Sequence, residues 1–429
     1  MTATAGTPAD TPSTSTAEQT DQTGPAVRAP GFPMERACPY QTPPGYDRLR
    51  ESGPLSQVAL YDGRLVWLVS GNAEGRALLP DPRLSSDTDR PDFPFLTERL
   101  ASQRFDALPL IGTDDPEHAH QRKLLTSGFG IRRIAALRPY IERTAEALLD
   151  RMVGGGDRAD LVTAYTLPLA SDSTFALLGV PEEDRPQLDA WSRRALFPAD
   201  AADADSPAQA FQDILDYLRD LIARRERVPG DGLIDDMIAS ARNRDGADPG
   251  GVDLEGLVTI CSVLMVGGNE STSSTIATSV LALLEHPDQL AALRNDASLT
   301  AGAVEELTRL ISVTDALQRV ATEDIEIAGR TIRKGDGVII STMLMNRDPN
   351  AWEDPNVLDI RRKAGRHVAF GYGIHQCVGQ NLARAEMEIA LNTLLRRVPS
   401  LRLSVSPEQV RGSVPHALLG GVAELPVAW

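Results

Sequence analysis

The chain has 429 residues, 42% of them hydrophobic, enough for one large domain or two around a substantial core. A formal net charge of −17 and a pI near 4.9 argue against nucleic acid and anionic lipid as main partners, since both repel such a surface on average. Three widely separated cysteines, Cys38, Cys261 and Cys377, argue against a disulfide framework or a cysteine-rich zinc site and point to a reducing cytoplasm.

Residues 1–36 are rich in Thr, Ala, Ser and Pro and lack the basic start and apolar core of a signal sequence. They read as a disordered tail, with the folded domain expected over 37–429 and no membrane span. Alternation in Val58, Leu60, Leu65, Trp67 and Val69 about Asp62-Gly63 predicts a β-hairpin. A short helix over 72–79 follows, ended by Pro80-Asp81-Pro82. Residues 84–112 read as a loop bearing Phe93 and Phe95, apolar side chains that either pack on the core or cover an apolar ligand. Asp115 as N-cap and Pro116 as first helical residue predict a helix that places His118 and Arg122 on one face, ordinarily a solvated one.

From 132 to 240 the periodicity is helical, broken at 154–156, 179–181 and 198–207; Trp191, Leu196 and Phe197 beside the last break either pack a helix or cover a ligand. Residues 253–286 predict a helix of about 50 Å, capped by Asp253 and ended by Pro287. In its middle stand Gly267, Gly268, Asn269, Glu270, Ser271 and Thr272. Each glycine forfeits about 1 kcal/mol of helix propensity, and a buried Glu270 is unfavourable without a partner. Such a run serves either the close approach of a second helix or a flat group lodged against the glycines, with Glu270 and Ser271 feeding protons to it. Residues 303–310 form a helix with Glu306 and Arg309 three apart, a pattern that alone means little. Short strands are expected from 318 to 341, and residues 343–369 as a long irregular connection.

Cys377 stands in a glycine-punctuated loop, residues 370–379, directly before a helical run over 378–397. Unpaired N–H groups at a helix start bias a thiol toward thiolate, the form that binds metal. A buried structural cysteine is the plain alternative, yet Gly371, Gly373 and Gly379 supply more backbone freedom than it needs and would let a flat cofactor lie against the main chain. Leu418 and Leu419, between two strand-like pieces near the C-terminus, are further candidates for a substrate pocket.

The loop Phe370-Gly-Tyr-Gly373-Ile-His375-Gln-Cys377-Val-Gly379 resembles the haem-binding signature of the cytochromes P450. Three more elements resemble the family in order and spacing: the helix with His118 and Arg122, the central run from Gly267 to Ser271, and the ExxR pair Glu306 and Arg309, with Arg362 matched to its third partner. Ser271 stands where the family pattern has threonine, and Thr272 follows it. The resemblance covers the chain from about residue 38. It implies a single-domain, mainly α fold with small β-sheets (α+β), triangular in outline, with a long central helix crossing the haem. It implies haem b ligated by Cys377 and contacted by Gly267, Gly268, Phe370, Gly373 and Gly379, with His118, Arg122, Arg319 and His375 toward the propionates. It further implies proton relay by Glu270, Ser271 and Thr272, and insertion of one atom of O2 into a hydrophobic small molecule by hydroxylation or epoxidation. Phe93, Phe95, Leu196, Phe197, Leu418 and Leu419 are then the candidate pocket residues. No flavin or nicotinamide fingerprint follows a strand, so electrons are expected from a ferredoxin and its NAD(P)H reductase, docking near Arg132, Arg366 or Arg384. The protein is expected to be a cytoplasmic monomer of secondary metabolism. A peroxide-driven enzyme and a gas-sensing haem protein are the rival readings.

Overall fold

The architecture is organised by one helix, Leu254–Glu285, whose 32 residues span about 48 Å at 1.5 Å per residue. Asp253 caps it as expected, its carboxylate accepting the Gly256 N–H at 2.8 Å, and Pro287 begins the next helix. The computed structural model describes residues 2, 29–102, 108–196, 206–242, 252–411 and 420–429. Phe197, Leu418 and Leu419 lie outside the described residues, as does most of the expected tail; Leu196 ends a helix but its side chain is likewise outside them.

Around the central helix pack Leu167–Leu178, Ser206–Arg227, Thr300–Ile311 and Gln380–Arg397, and Ile131–Gly154 lies on the outer side of Gln380–Arg397. The apolar faces of these helices form one continuous core that runs from Leu124 and Leu125 through Ile276, Val280 and Leu307 to Leu391 and Leu394. Burial on nearly every side explains why the central helix is apolar around most of its circumference, and why its polar interruption stands out.

Ten strands occur among the described residues: β1 (Leu55–Ala59), β2 (Leu65–Val69), β3 (Leu84–Ser85), β4 (Arg158–Asp160), β5 (Ala316–Ala321), β6 (Ile325–Ile327), β7 (Arg330–Ile332), β8 (Gly337–Ser341), β9 (Arg402–Leu403) and β10 (Pro426–Ala428). They form sheets ordered β1-β2-β8-β5-β3, β4-β10-β9 and β6-β7. The predicted β1–β2 hairpin pairs Leu55 with Val69 and Ala59 with Leu65, and Gly63 in its turn takes a φ of +83° that glycine adopts without strain. Strand β8 is buried at every position, and its Val338-Ile339-Ile340 run suits a strand covered on both faces. The fold is thus mainly helical with small sheets, as the sequence suggested.

Several boundaries differ from the sequence reading. Residues 29–36 are not part of a loose tail: Phe32 is buried, its N–H donates to Ala59 O at 2.8 Å, and Gly31 bridges to Ala59. The stretch 84–112 contains β3 and a helix, Glu98–Ser102, rather than loop alone. The irregular connection after β8 begins with a short helix, Thr342–Met345. The helix carrying His118 runs Glu117–Leu125 and has Pro116 at its cap, because Asp115 turns its carboxylate to His118 Nδ1 (3.2 Å) instead of capping. No helix among the described residues is long and apolar enough to cross a membrane.

Candidate active site

The loop ahead of the helix Gln380–Arg397 is a tight backbone construction. The Cys377 N–H donates to Phe370 O at 2.8 Å and the Gln376 N–H to Gly373 O at 3.1 Å, while Gly371 and Gly373 sit at φ +71° and +81°. Gly373 is required twice over, since a Cβ there would also lie 3.1 Å from the Pro80 Cα and Cβ. Gly379 has ordinary right-handed backbone at the helix cap, so its φ does not demand glycine; a Cβ would lie 3.9 Å from Cys377 Sγ.

Cys377 is exposed to solvent, unlike the buried Cys38 and Cys261. Its sulfur is nonetheless crowded by protein atoms, and this desolvation pushes the thiol up; N–H groups of Gly379 and Gln380 and the charges of Arg122 and Arg384 pull the other way without prevailing. The expected thiolate bias at a helix start is therefore corrected. The helix begins three residues later than Cys377, and desolvation outweighs it, so a bound cation is what would hold the sulfur as thiolate.

On the central helix the polar run divides into faces. A Cβ at Gly267 would meet nothing within 4 Å, whereas one at Gly268 would lie 3.0 Å from Thr174 Oγ1 on the helix Leu167–Leu178. Gly267, Glu270 and Ser271 share the open side by their three- and four-residue spacing, and Gly268 shares the packed side with Thr272, which is buried. The close-approach reading thus fits Gly268, Gly267 faces open space, and Thr272 is turned away from Ser271. The Ser271 hydroxyl donates to Gly267 O at 2.7 Å, which leaves its lone pairs as acceptors on the open side. Glu270 is half-buried, its carboxyl has no hydrogen-bond partner among the described residues, and desolvation pushes it up.

Four cationic or titratable groups converge. The His118 and His375 rings lie 4.1 Å apart; His375 bonds Leu110 O through Nδ1 (3.0 Å) and Ser86 Oγ through Nε2 (3.1 Å). Burial, then Arg319 and His118, push His375 down to about 4. Arg319 is buried and held by the Gln318 carbonyl at 2.7 Å, and desolvation lowers it to about 10 despite Asp114. The Arg122 charge reaches both His118 and Cys377. His118 Nε2 is buried without a partner. Two guanidiniums, the buried Arg319 and the half-buried Arg122, beside two imidazoles and the orphaned His118 Nε2 suit an anionic group, and carboxylates of a flat macrocycle are a fitting one. A single thiol donor fits the same group: among the described residues no cluster of three metal-ligating side chains occurs, so a metal at Cys377 needs a ligand that brings its own donors.

The ExxR elements meet as expected. Arg309 and Glu306 are fully buried and paired through two bonds, 2.7 and 2.8 Å, and Arg362 Nε joins Glu306 Oε1 at 3.1 Å, which selects it over the exposed Arg361. Arg309 Nη1 also donates to Asn346 O and Pro355 O, tying the irregular connection to the core. Phe93 is buried and packs 4.9 Å from the half-buried Phe95, and Gln318 holds the Pro94 carbonyl between them.

A family model described as Cytochrome P450 matches residues 88–414. The chain belongs to this family. The P450 chain is 49% identical to pentalenic acid synthase of Streptomyces avermitilis over 95% of its own length and 99% of that protein, and 44% identical to the vitamin D3 dihydroxylase of Streptomyces griseolus over 94% and 97%. The solved structure of the P450 MoxA from Nonomuraea recticatena superposes with a TM-score of 0.86 at 39% identity, covering 93% and 98% of the two chains. The protein is a P450 monooxygenase, and its family implies a haem-thiolate cofactor, a substrate, O2 and a redox partner.

The sequence reading missed the half-buried Glu305 and the buried His367, which close a network against Phe370. His367 Nε2 lies 3.2 Å from Glu305 Oε2, and the Arg384 guanidinium binds Glu305 and stacks over the Phe370 ring. Glu305 directly precedes Glu306, a doubled acid that marked the position without showing its use.

Proposed function

We propose that a haem b lies between Cys377 and the open side of the central helix, in one catalytic domain that runs from about residue 29 onward. Cys377 Sγ ligates its iron; Phe370, Gly373 and Gly379 shape the loop side and Gly267 the other. His118, Arg122, Arg319 and His375 hold the propionates. Bound there, the haem would supply O2 activation and transfer of one oxygen atom to a C–H or C=C bond.

The remaining work falls to this chain's side chains. Glu270, whose desolvated carboxyl retains its proton more readily than a surface acid, is the proton source for the open side. Ser271 Oγ, committed as donor to Gly267 O, accepts a hydrogen bond there and so positions the group that is to be protonated. Thr272 acts only indirectly from the packed face. Gly268 sets the distance between the central helix and its neighbour. Substrates are hydrophobic small molecules, oxidised in secondary metabolism, with Phe95 at the pocket edge beside the core residue Phe93. Electrons come from a ferredoxin and its reductase, docking at the Cys377 face where Arg132 and Arg366 are exposed, and the enzyme works as a cytoplasmic monomer.

The observation that carries this reading is the exposed residue Cys377 beside a cluster of buried His118 and Arg319 and half-buried Arg122 and His375, in which His118 Nε2 lacks a partner. The test is turnover under isotopically labelled O2 with ferredoxin, its reductase and NAD(P)H, using substrates chosen by their shift of the haem spin state. One labelled oxygen in the product is expected. Turnover with peroxide but not with ferredoxin would replace the reading by a peroxide-driven one.

A further inference from the structure

We propose that Arg384 and Glu305 act as a charge lever on the Cys377 sulfur and thereby set how readily the haem iron is reduced. The inference rests on the Cys377-ligated haem proposed above. Arg384 touches both flanks of the cysteine: its Cζ lies 4.6 Å over the ring of Phe370, whose carbonyl accepts the Cys377 N–H, and its Nη1 bonds Gln380 Oε1 at 3.0 Å. Gln380 in turn directs its backbone N–H at the sulfur. Arg384 is thus placed by the same residues that hold Sγ.

The position of the Arg384 charge is fixed by Glu305, which takes its Nε and Nη2, the latter at 3.2 Å. Glu305 is itself held. His367 Nδ1 accepts the Ala369 N–H at 3.2 Å, which puts the ring proton on Nε2, 3.2 Å from Glu305 Oε2. Arg384 and Glu305 thus form an ion pair whose positive member stacks over Phe370. Burial opposes ionisation of Glu305, but bonds from His367 and Arg384 overcome it and hold the carboxyl at about 2, so the pair stays charged at neutral pH.

Reducing ferric to ferrous iron adds one negative charge to a site that already holds a thiolate. A cation beside the sulfur favours that step, and a neighbouring anion opposes it. Loss of Arg384 and loss of Glu305 should then act in opposite directions, whereas a merely structural role, loosening Phe370, would move both variants the same way.

The experiment is a spectroelectrochemical titration of the holoenzyme and of Arg384→Gln, Arg384→Lys and Glu305→Gln, each first checked for the thiolate-type Soret band of its reduced carbon monoxide complex. Arg384→Gln should disfavour reduction about three- to tenfold, where tenfold is about 59 mV for one electron. Arg384→Lys should restore most of this, and Glu305→Gln should favour reduction. Should Arg384→Gln fail to fold, the sign of the Glu305→Gln shift decides alone. Unmoved potentials, or shifts of one sign in both, with the thiolate-type band intact, overturn the lever; absence of that band from the wild-type protein overturns the haem-ligation reading instead.

Discussion

Replacing each of the paired glycines by alanine separates the two faces of the central helix. Both substitutions remove the backbone entropy of glycine from a helix interior, a gain of about 1 kcal/mol. At Gly267 nothing lies within 4 Å of the new Cβ, so the gain should be realised in full. At Gly268 the methyl would stand 3.0 Å from Thr174 Oγ1, tighter than ordinary contact, with the Thr174 Cγ2 at 3.6 Å on the same side. Thr174 is buried on a packed helix and β-branched, so it has few rotamers to retreat into, and overpacking of this kind costs about 1–3 kcal/mol. Gly267→Ala should therefore raise the urea midpoint, and Gly268→Ala leave it unchanged or lower it by up to about 2 kcal/mol equivalent. Only Gly267→Ala should alter the haem spin-state response to substrate. Equal effects of the two substitutions on stability would refute the assignment of the glycines to different faces.

Glu306→Gln leaves Arg309 fully buried without its carboxylate and also frees Arg362, so unfolding free energy should fall by about 3–5 kcal/mol in chemical denaturation. A loss below about 1 kcal/mol would mean that the Asn346 and Pro355 carbonyls suffice for Arg309. Burial raises the Glu386 carboxyl well above its ordinary value, so the folded state favours its protonated form. That contribution is complete below the unfolded carboxyl's range and declines as pH rises toward the folded value; Glu386→Gln should flatten the stability decline above about pH 4.5, measured as urea midpoints against pH. Ser271→Ala should divert electrons from product to peroxide severalfold, and Ser271→Thr should not; equal coupling in all three proteins would remove Ser271 from proton delivery.

Much of this site was legible because its parts are local in sequence. The turn geometry at Gly373, the Asp253 cap and the four-residue spacing of Gly267 and Ser271 are consequences of short-range backbone rules, and each stands where the pattern placed it. What escaped depends on contacts distant in the chain. Nothing in the sequence tells Gly267 from Gly268 until Thr174 arrives from another helix, and Glu305 gains its role only from His367 and Arg384, 62 and 79 residues away. The thiolate bias expected at Cys377 was overturned for the same reason: helix position is local, whereas desolvation is set by everything that folds around the sulfur. The tail boundary failed because Phe32 is one aromatic in a polar stretch, and its burial is provided by Tyr46 and the first sheet.

The central claim is that Cys377 is the sulfur that meets the iron. Carbon monoxide difference spectroscopy of the reduced wild-type protein and of Cys377→Ser tests it most directly. The wild type should show the long-wavelength Soret band of a thiolate-ligated haem, and the variant should lose it while keeping the helical far-ultraviolet signal. The same band in Cys377→Ser would contradict the account.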